Sequence, residues 1–447
     1  MSQVLLVEDN PSIGGILKLN AFSLLGLELI EIPAITEALS YVKTTPDLDL
    51  IICREGMPGS LEILTALANS ELDIPLIWIG HQKASTYKYT IMMPANVNFE
   101  GVLEVIGKVL GIDSTQYNLG KHGEFEAVDC YYFFHVDLSE LGSDVYLKLK
   151  KDGVDHFVKC LHHTDKFTKE DIEKYILSGL KEFFIPKESF PQFVSLVTSQ
   201  FKAKLNQEKM IGEERISVTG DAYKITMDRI HSLGLDALAV DVAEASIKSM
   251  KSSIKEDNAL GSFLKLMNGL PYAYANAYLT CLMCHKVGGQ FSWITKSMRE
   301  KLTYVAYFHN CSLKDEKLMK IISSQQLEES MLTLSEREVI TGHAQLSALL
   351  VEGISSVPSG VSTIIKEHHG AKNGFGFPKN LSTNISTISM MFIVIEDFVD
   401  SFLKVSEKPT KADFEKIYLD LSSRYTNGTY LQTMKVLKEL VFKNYIS

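Results

Sequence analysis

The chain has 447 residues, of which 45% are hydrophobic and 22% are charged, and its formal net charge is −10. A chain of this length predicts roughly two to four domains, and the composition is typical of a globular protein. The negative charge argues against a general binder of nucleic-acid polymers, which would need a basic face. It leaves room for a local basic pocket that binds a small anionic ligand.

Two further features of the sequence bear on its location. No apolar run reaches the roughly 20 residues that cross a bilayer, and the start, MSQVLLVEDN, lacks the basic region of a signal peptide. We therefore expect a cytoplasmic protein with no membrane partner, whose six cysteines are mostly reduced.

Residues 1–118 alternate short apolar runs with amphipathic segments. The runs VLLV, LDLIIC and IPLIWIG are typical of buried parallel strands, and the segments between them are predicted helices. This order predicts a doubly wound α/β domain. The stretches LLVEDNPSI, PDLDLIICREGMPG and IPLIWIG follow one another as in response-regulator receiver domains, which this region resembles.

The resemblance implies an acid pair for magnesium, an aspartate nucleophile, a hydroxyl group and a lysine. Glu8 and Asp9 provide the acid pair, but Arg54 stands in place of the aspartate. Gly80 stands in place of the hydroxyl residue and Met93 in place of the lysine. A guanidinium group cannot accept a phosphoryl group, and it competes with magnesium for the same acids. We therefore predict a pseudo-receiver in which Arg54 pairs with Glu8 or Asp9.

Residues 122–205 are predicted to form a small α+β domain. The segment DVYLKLKKDGVDHFVKC has the alternation of two strands, and Asp152-Gly153 between them predicts a type I′ hairpin. The spacing of Thr168 and Asp171 predicts a capped helix start. The region resembles the small domains that often lie between receiver and output domains in bacterial signalling proteins.

Residues 206–262 are predicted to be a helical linker with one polar face. Such a segment suits a signalling helix or a dimerisation stalk, and a stalk would give a homodimer. It suits an ordinary packed helix pair equally well.

Residues 263–447 are predicted to be all helical, and their histidines fall at informative positions. YFHNCSL supplies His309, LTLSEREVITGH supplies His343, KEHHG supplies His368 and His369, and VIEDFVD supplies Asp397 and Asp400. Helices that share a core hold such side chains in fixed directions, which is a common way to bind one or two transition metal ions.

These segments resemble the HD-GYP phosphodiesterases, metal-dependent helical bundles of the HD type that hydrolyse cyclic di-GMP. LTLSEREVITGH follows the family's Leu-Thr, Glu and terminal His, with Thr333 and Glu336 as a capping box, and HHGAKNGFGFP follows its signature loop. The resemblance implies a metal site formed by His309, His343, His368, His369 and Asp397. It also implies a ligand-binding loop formed by Lys372, Gly374, Gly376, Phe377 and Pro378, although loop geometry alone would also explain the glycines and the proline.

The sequence departs from this family at four positions of the catalytic site: Asn268, Tyr272, Asn310 and Leu313. Asn310 replaces the aspartate that bridges two metals in the family, and a neutral amide oxygen binds a cation less well than a carboxylate. Leu313 replaces a lysine. Asn268 and Tyr272 replace a glutamate and a histidine around one of the metals. We therefore expect at most one transition metal ion, namely Fe, Mn or Zn.

These departures predict a bacterial signalling protein whose degenerate HD-GYP domain is catalytically inactive. It would act by binding a protein partner or a cyclic dinucleotide. The alternative is a residual metal-dependent cyclic di-GMP phosphodiesterase. The first interpretation is favoured because Arg54 and Asn310 remove reacting groups from both domains at once.

Overall fold

We describe the fold from a computed structural model. It describes residues 3–45, 47–70, 72–80, 87–94, 97, 99–112, 125–134, 142–151, 154–163, 168–180, 182–206, 210–233, 237–352, 354–378, 381–382, 384–405 and 410–445.

The N-terminal region is an α/β domain built on a parallel sheet, as the sequence predicted. Its strands are β1 (Val4–Val7), β2 (Leu29–Glu31), β3 (Leu50–Arg54), β4 (Leu76–Ile79) and β5 (Thr90–Met93). They pair in parallel in the order β2-β1-β3-β4-β5. Its helices are α1 (Pro11–Leu25), α2 (Ile35–Thr44), α3 (Ser60–Ala68) and α4 (Phe99–Val109). Alternate residues of β1 pack into two different apolar clusters, so both faces of the sheet are covered.

The second region contains four antiparallel strands and two helices, which is the predicted α+β mixture. The strands are β6 (Phe125–Asp129), β7 (Val145–Lys151), β8 (Val154–Leu161) and β9 (Glu182–Pro186), in the order β6-β9-β7-β8. The helices are α5 (Lys169–Leu177) and α6 (Phe190–Leu205). The strands β7 and β8 pair as the hairpin prediction requires, although Asp152 and Gly153 lie outside the described residues. The predicted capping box of Thr168 and Asp171 is present at the start of α5.

The helices that follow connect this region to the rest of the chain. They are α7 (Gly212–Leu233), α8 (Ala237–Ser253) and α9 (Ala259–Leu266). α7 and α8 pack against each other and against α6. Within one chain they therefore form a packed helix pair, and the homodimer through this segment stays a prediction.

The C-terminal region is helical, and the described residues from 263 onward include no strand. Its helices are α10 (Tyr272–Gly288), α11 (Lys296–Phe308), α12 (Glu316–Met319), α13 (Ser324–Glu329), α14 (Leu334–Glu352), α15 (Val361–Glu367), α16 (Thr387–Leu403), α17 (Lys411–Arg424) and α18 (Gly428–Tyr445). The predicted capping box at the start of α14 is formed, with Glu336 N–H 3.2 Å from the Thr333 hydroxyl. Across the described residues, no helix has both the length and the apolar character of a membrane span.

The N-terminal domain packs directly against the helical region. α1 lies along α14, and α4 contacts α7. Gly15 on α1 comes so close to α14 that a Cβ atom there would lie 2.8 Å from Leu346 Cδ1. The apolar core is consequently continuous from the parallel sheet into the helical region.

Candidate metal centre

Two helix ends and two helix interiors bring the histidines and carboxylates of the C-terminal region together. His343 lies inside α14, and Glu396 lies inside α16. His309 follows the last turn of α11, and His368 and His369 follow α15. His309, His343, His368 and Glu396 are at most 2% exposed, so helix packing rather than solvent fixes their directions.

Three imidazole nitrogens converge on one point. His343 Nε2 lies 3.2 Å from His368 Nε2 and 3.0 Å from His369 Nε2. The ligating nitrogens of all three residues lie within 4.8 Å of one another. Ligand atoms around a tetrahedral Zn²⁺ with bonds of about 2.0–2.1 Å stand roughly 3.4 Å apart. This separation is therefore of the size that one transition metal ion requires.

The other ring nitrogen of each buried histidine is held by the backbone. His343 Nδ1 lies 2.6 Å from the Ile340 carbonyl, and His368 Nδ1 lies 2.5 Å from the Ile365 carbonyl. A carbonyl only accepts, so each Nδ1 must donate, and each Nε2 carries the lone pair. A backbone carbonyl on the second nitrogen is the usual way in which a protein orients a metal-ligating histidine.

The environment keeps these imidazoles neutral. Burial lowers the pKa of His343 to about 4 and the pKa values of His368 and His369 well below their usual range. His343 and His368 are neutral rings whose Nε2 lone pairs face each other at 3.2 Å, and these lone pairs repel unless a cation lies between them. The donor set therefore fits a transition metal ion.

Glu396 lies beside this cluster, although its carboxylate is not among the ligand atoms within 4.8 Å of one another, and the sequence did not predict it. Its Oε1 lies 3.3 Å from His309 Nε2 and 4.0 Å from His368 Nε2. Burial raises the pKa of Glu396. The sequence offered one clue to Glu396, its place beside Asp397 in VIEDFVD. Adjacent residues of a helix point about 100° apart, so the two acids face different directions.

The structure places Asp397 away from the three convergent nitrogens. Its carboxylate lies 2.9 Å from Arg424 Nη1, and it accepts a hydrogen bond from the Tyr425 hydroxyl. Burial raises the pKa of Asp397 to about 7, and the Arg424 guanidinium opposes that shift. Of the five predicted ligands, the structure brings three together, namely His343, His368 and His369. His309 lies beside them, and Asp397 pairs with Arg424 at the end of α17.

The four departures from the family have definite surroundings. Asn310 Nδ2 donates to His309 Nε2 at 2.9 Å. The Tyr272 hydroxyl donates to Asp400, which also lies 2.5 Å from Lys404 Nζ. Leu313 is fully buried in a small apolar cluster, and Asn268 is exposed.

The predicted ligand-binding loop borders a cleft of about 830 Å³, and His368 and His369 are among the residues that line it. The Phe377 ring packs on His369 with centroids 4.5 Å apart, and Pro378 lines the cleft. Gly374 and Gly376 have φ values of 76° and 67°, which glycine adopts without strain. Lys372 is exposed and is not among the residues that line the cleft.

The remaining cleft walls are mostly polar, with Ile322, Leu381 and Ile393 as apolar members. The polar residues come from α13, from α17 and from the connection to α18, and include Ser323, Gln325, Gln326, Asp420, Ser423, Arg424 and Asn427.

The receiver-like domain contains the ion pair that the sequence predicted. Arg54 Nε lies 2.8 Å from Glu8 Oε2, and Glu8 is buried. Burial raises the pKa of Glu8, although the Arg54 charge opposes that shift. The Glu55 side chain occupies the space that a Cβ at Gly80 would need. The space beside Gly80 is therefore filled by this chain's own side chain.

A second group of possible metal ligands lies in the α+β region, where the sequence predicts a polar loop from His162 to Asp165. Asp144, His162 and His163 come within 4.8 Å of one another. Asp144 is already paired with Lys159 and with His163, and both histidines are exposed. Thr164 and Asp165 lie outside the described residues.

Comparison with known proteins gave one similar structure. No family model matches the chain, and no curated protein matches it. The chain is similar to a solved structure described as an HDG"Y"P protein from Bdellovibrio bacteriovorus. The two share 12% sequence identity, and the similarity covers 71% of this chain and 99% of that chain with a TM-score of 0.46.

Proposed function

We propose that this chain is a bacterial signalling protein whose helical region holds one transition metal ion and acts by binding a ligand rather than by hydrolysing it. The observation that carries the proposal is the convergence of three Nε2 atoms, each from a neutral buried or half-buried histidine, within 4.8 Å. When bound, the metal would supply a Lewis-acidic centre at the edge of the cleft.

Occupation by a single metal is supported by the contacts around the other predicted ligands. The amide of Asn310 donates to the lone pair of His309 Nε2. Lys404 already neutralises Asp400, and Tyr272 donates to the same carboxylate. The Lys404 ammonium group and the Tyr272 hydroxyl group thus contact the Asp400 carboxylate, whose charge a second divalent ion would otherwise compensate.

Loss of hydrolysis is supported by what surrounds the metal position. Phosphodiester cleavage develops negative charge on the attacking and leaving oxygens, and two metal ions with nearby cations usually stabilise it. Asn310 contributes no charge, and Leu313 contributes only apolar surface to its cluster. Each missing charge-stabilising contact typically costs about 10²–10³ in rate.

For the ligand we propose a cyclic dinucleotide. The cleft volume of about 830 Å³ lies within the range of small-molecule sites, roughly 300–1,000 Å³. His368, His369 and Arg424 line the cleft, so a bound metal and a guanidinium group could meet phosphate groups there. Binding of a protein partner instead is an outcome that the experiment below separates.

The test uses the purified full chain. Elemental analysis should give about one transition metal per chain, and calorimetry should detect cyclic di-GMP binding that weakens after the metal is removed. Chromatography of the nucleotides should show no turnover with Mn²⁺ or with Fe²⁺ under anaerobic conditions. Asn310→Asp alone should not create turnover, because Leu313, Tyr272 and Asn268 remain. Two or more metals at full occupancy would contradict the single-metal site, and absence of nucleotide binding would favour a protein partner.

A second candidate function is residual metal-dependent hydrolysis of cyclic di-GMP. It is favoured by one observation, namely that His368 and His369 open directly on the cleft. Robust turnover by the unmodified chain would establish it in place of the first.

A further inference from the structure

Glu396 is a buried carboxylate without an adequate partner. It is 2% exposed, and within the described residues its Oε1 has no hydrogen-bond partner. The nearest polar atoms are His309 Nε2 at 3.3 Å and His368 Nε2 at 4.0 Å. An unpaired buried charge is costly, so this arrangement requires an explanation.

The two histidines do not provide a hydrogen bond in their neutral form. His309 Nδ1 lies 3.1 Å from the Ala306 carbonyl, and His368 Nδ1 lies at hydrogen-bond distance from the Ile365 carbonyl. Both Nδ1 atoms therefore donate, and both Nε2 atoms present lone pairs. A carboxylate oxygen that faces nitrogen lone pairs is repelled by them, and a cation next to all of these atoms would turn that repulsion into attraction.

The adjacent acid, Asp397, has its charge and hydrogen-bond partners outside the imidazole cluster. Arg424 neutralises its charge, and the Tyr425 hydroxyl donates to it. The one-residue step along α16 turns Asp397 by about 100° from the direction of Glu396. Of these two acids, Glu396 is the one that combines burial, an open oxygen atom and a place beside the imidazoles.

We propose that Glu396, rather than Asp397, supplies the carboxylate ligand of the metal ion held by His343, His368 and His369. The inference rests on the proposed function, because it concerns the same metal. The 4.0 Å between Glu396 Oε1 and His368 Nε2 is a distance that two ligands of one ion can span. Glu396 is not in the group of ligand atoms that lie within 4.8 Å of one another, so its side chain would have to turn toward His343 and His369 when the metal binds. A carboxylate also completes a mixed histidine and carboxylate donor set, which suits Zn²⁺ and Fe²⁺.

The test compares two neighbouring isosteric variants in the full chain, Glu396→Gln and Asp397→Asn. Each removes one carboxylate from α16 and keeps its shape. Apo-protein is prepared with a chelator, and the affinity for Zn²⁺ is measured by competition with a chromophoric chelator. Co²⁺ is then added as a spectroscopic probe of the ligand set. Thermal unfolding of the apo-proteins reports on the fold separately from metal binding.

Glu396→Gln should weaken Zn²⁺ binding at least about 10-fold and change the Co²⁺ absorption spectrum. Its apo-protein should unfold at the same or a higher temperature, because an unpaired buried charge has been removed. Asp397→Asn should keep the wild-type metal affinity and spectrum. Glu396→Asp serves as the second variant, since it keeps the charge but withdraws the oxygen atoms, and it should bind with intermediate affinity.

Equal metal affinity of Glu396→Gln and the wild type would overturn the inference, and so would loss of the metal in Asp397→Asn alone. In both cases the wild type would still bind metal, so the proposed function would stand. If the wild type binds no transition metal, the metal-binding function and this inference fall together. A protonated Glu396 with a purely structural role predicts the first of these outcomes.

Discussion

At the scale of single residues, one local hydrogen bond recurs at three histidines of the site. In His309, His343 and His368, Nδ1 meets the carbonyl of the residue three positions earlier. Each of these bonds fixes the same tautomer, and each leaves Nε2 as the acceptor. The histidine positions could be predicted from sequence, but the direction of each ring could not, because it depends on which core the helix faces.

Replacing one convergent histidine should remove the metal without unfolding the chain. His343→Ala is expected to weaken Zn²⁺ binding by at least about 10-fold, since one of three close ligands is lost. A matched control is His285→Ala. Burial lowers the pKa of His285 to about 4, as for His343, but its Nε2 lies 3.0 Å from the Thr303 hydroxyl and is not part of the convergent group. Equal metal affinity of the two variants would show that the three nitrogens do not form the site.

The raised pKa of Asp397 predicts a pH-dependent stability difference. Its pKa is about 7 in the folded chain against an ordinary value of 3.8, so between these values the folded state binds more protons than the unfolded state. The contribution of this group to stability is therefore lost as pH rises from about 4 to about 7. Buried neutral histidines such as His343 act in the opposite direction, because acid protonates them in the unfolded chain first.

Asp397→Asn separates the two effects, because both proteins keep the histidines. Relative to the wild-type apo-protein, the variant should gain stability as pH rises from about 5 to about 8, by an amount bounded by about 1.4 kcal/mol per unit of pKa difference. Urea unfolding at the two pH values measures this gain. A constant difference at both pH values would mean that Asp397 does not titrate in this window.

At the scale of elements, the sequence predicted what depends on local pattern. The parallel strands, the paired strands β7 and β8 and the two capping boxes were all predicted, since apolar periodicity and cap chemistry act over a few residues. Glu396 was missed for the same reason. Which of two adjacent acids on α16 faces the histidines is decided by how α16 packs on α10, α15, α17 and α18, and no local pattern records that packing.

The loop between α15 and α16 offers a test at this scale through two of its left-handed glycines, Gly374 and Gly376. Gly374→Ala should destabilise the chain more than Gly376→Ala. Both residues have positive φ, which costs about 1–2 kcal/mol for a residue with a Cβ. A Cβ at Gly374 would also lie 3.2 Å from the backbone nitrogen of Gln345 on α14. A Cβ at Gly376 would have no neighbouring atom within 4 Å among the described residues. Urea unfolding of the two variants gives the comparison, and equal losses would show that contact with α14 does not constrain the loop.

At the scale of the whole molecule, the N-terminal α/β domain contacts the helical region that holds the histidines. Within this domain Arg54 pairs with Glu8, and the Glu55 side chain fills the space beside Gly80. The domain's helix α1 packs against α14, the helix that carries His343. The sequence predicted a parallel α/β region and a helical region, but not this contact, because neither Gly15 nor Leu346 carries a signal of its partner.

The contact between α1 and α14 can be tested with a double-mutant cycle on Gly15 and Leu346. Gly15→Ala adds a methyl group 2.8 Å from Leu346 Cδ1, and Leu346→Ala removes the side chain that it meets. The clash exists only while Leu346 is present, so the double variant should lose less stability than the two single variants together. We expect a coupling free energy of about 0.5–3 kcal/mol, the usual size for residues in contact.

The neighbouring Gly14 supplies the control for this cycle. A Cβ at Gly14 would meet only the side chain of Glu31, within the N-terminal domain, so Gly14→Ala and Leu346→Ala should be additive. Urea unfolding gives the free energies, and Zn²⁺ affinity of the same variants shows whether a shift of α14 reaches His343 one turn away. Gly15→Ala should weaken Zn²⁺ binding while Gly14→Ala leaves it unchanged, because only the first displaces the helix that positions a ligand. Additive losses for Gly15 and Leu346, with metal affinity unchanged, would mean that the two domains fold side by side without supporting one another.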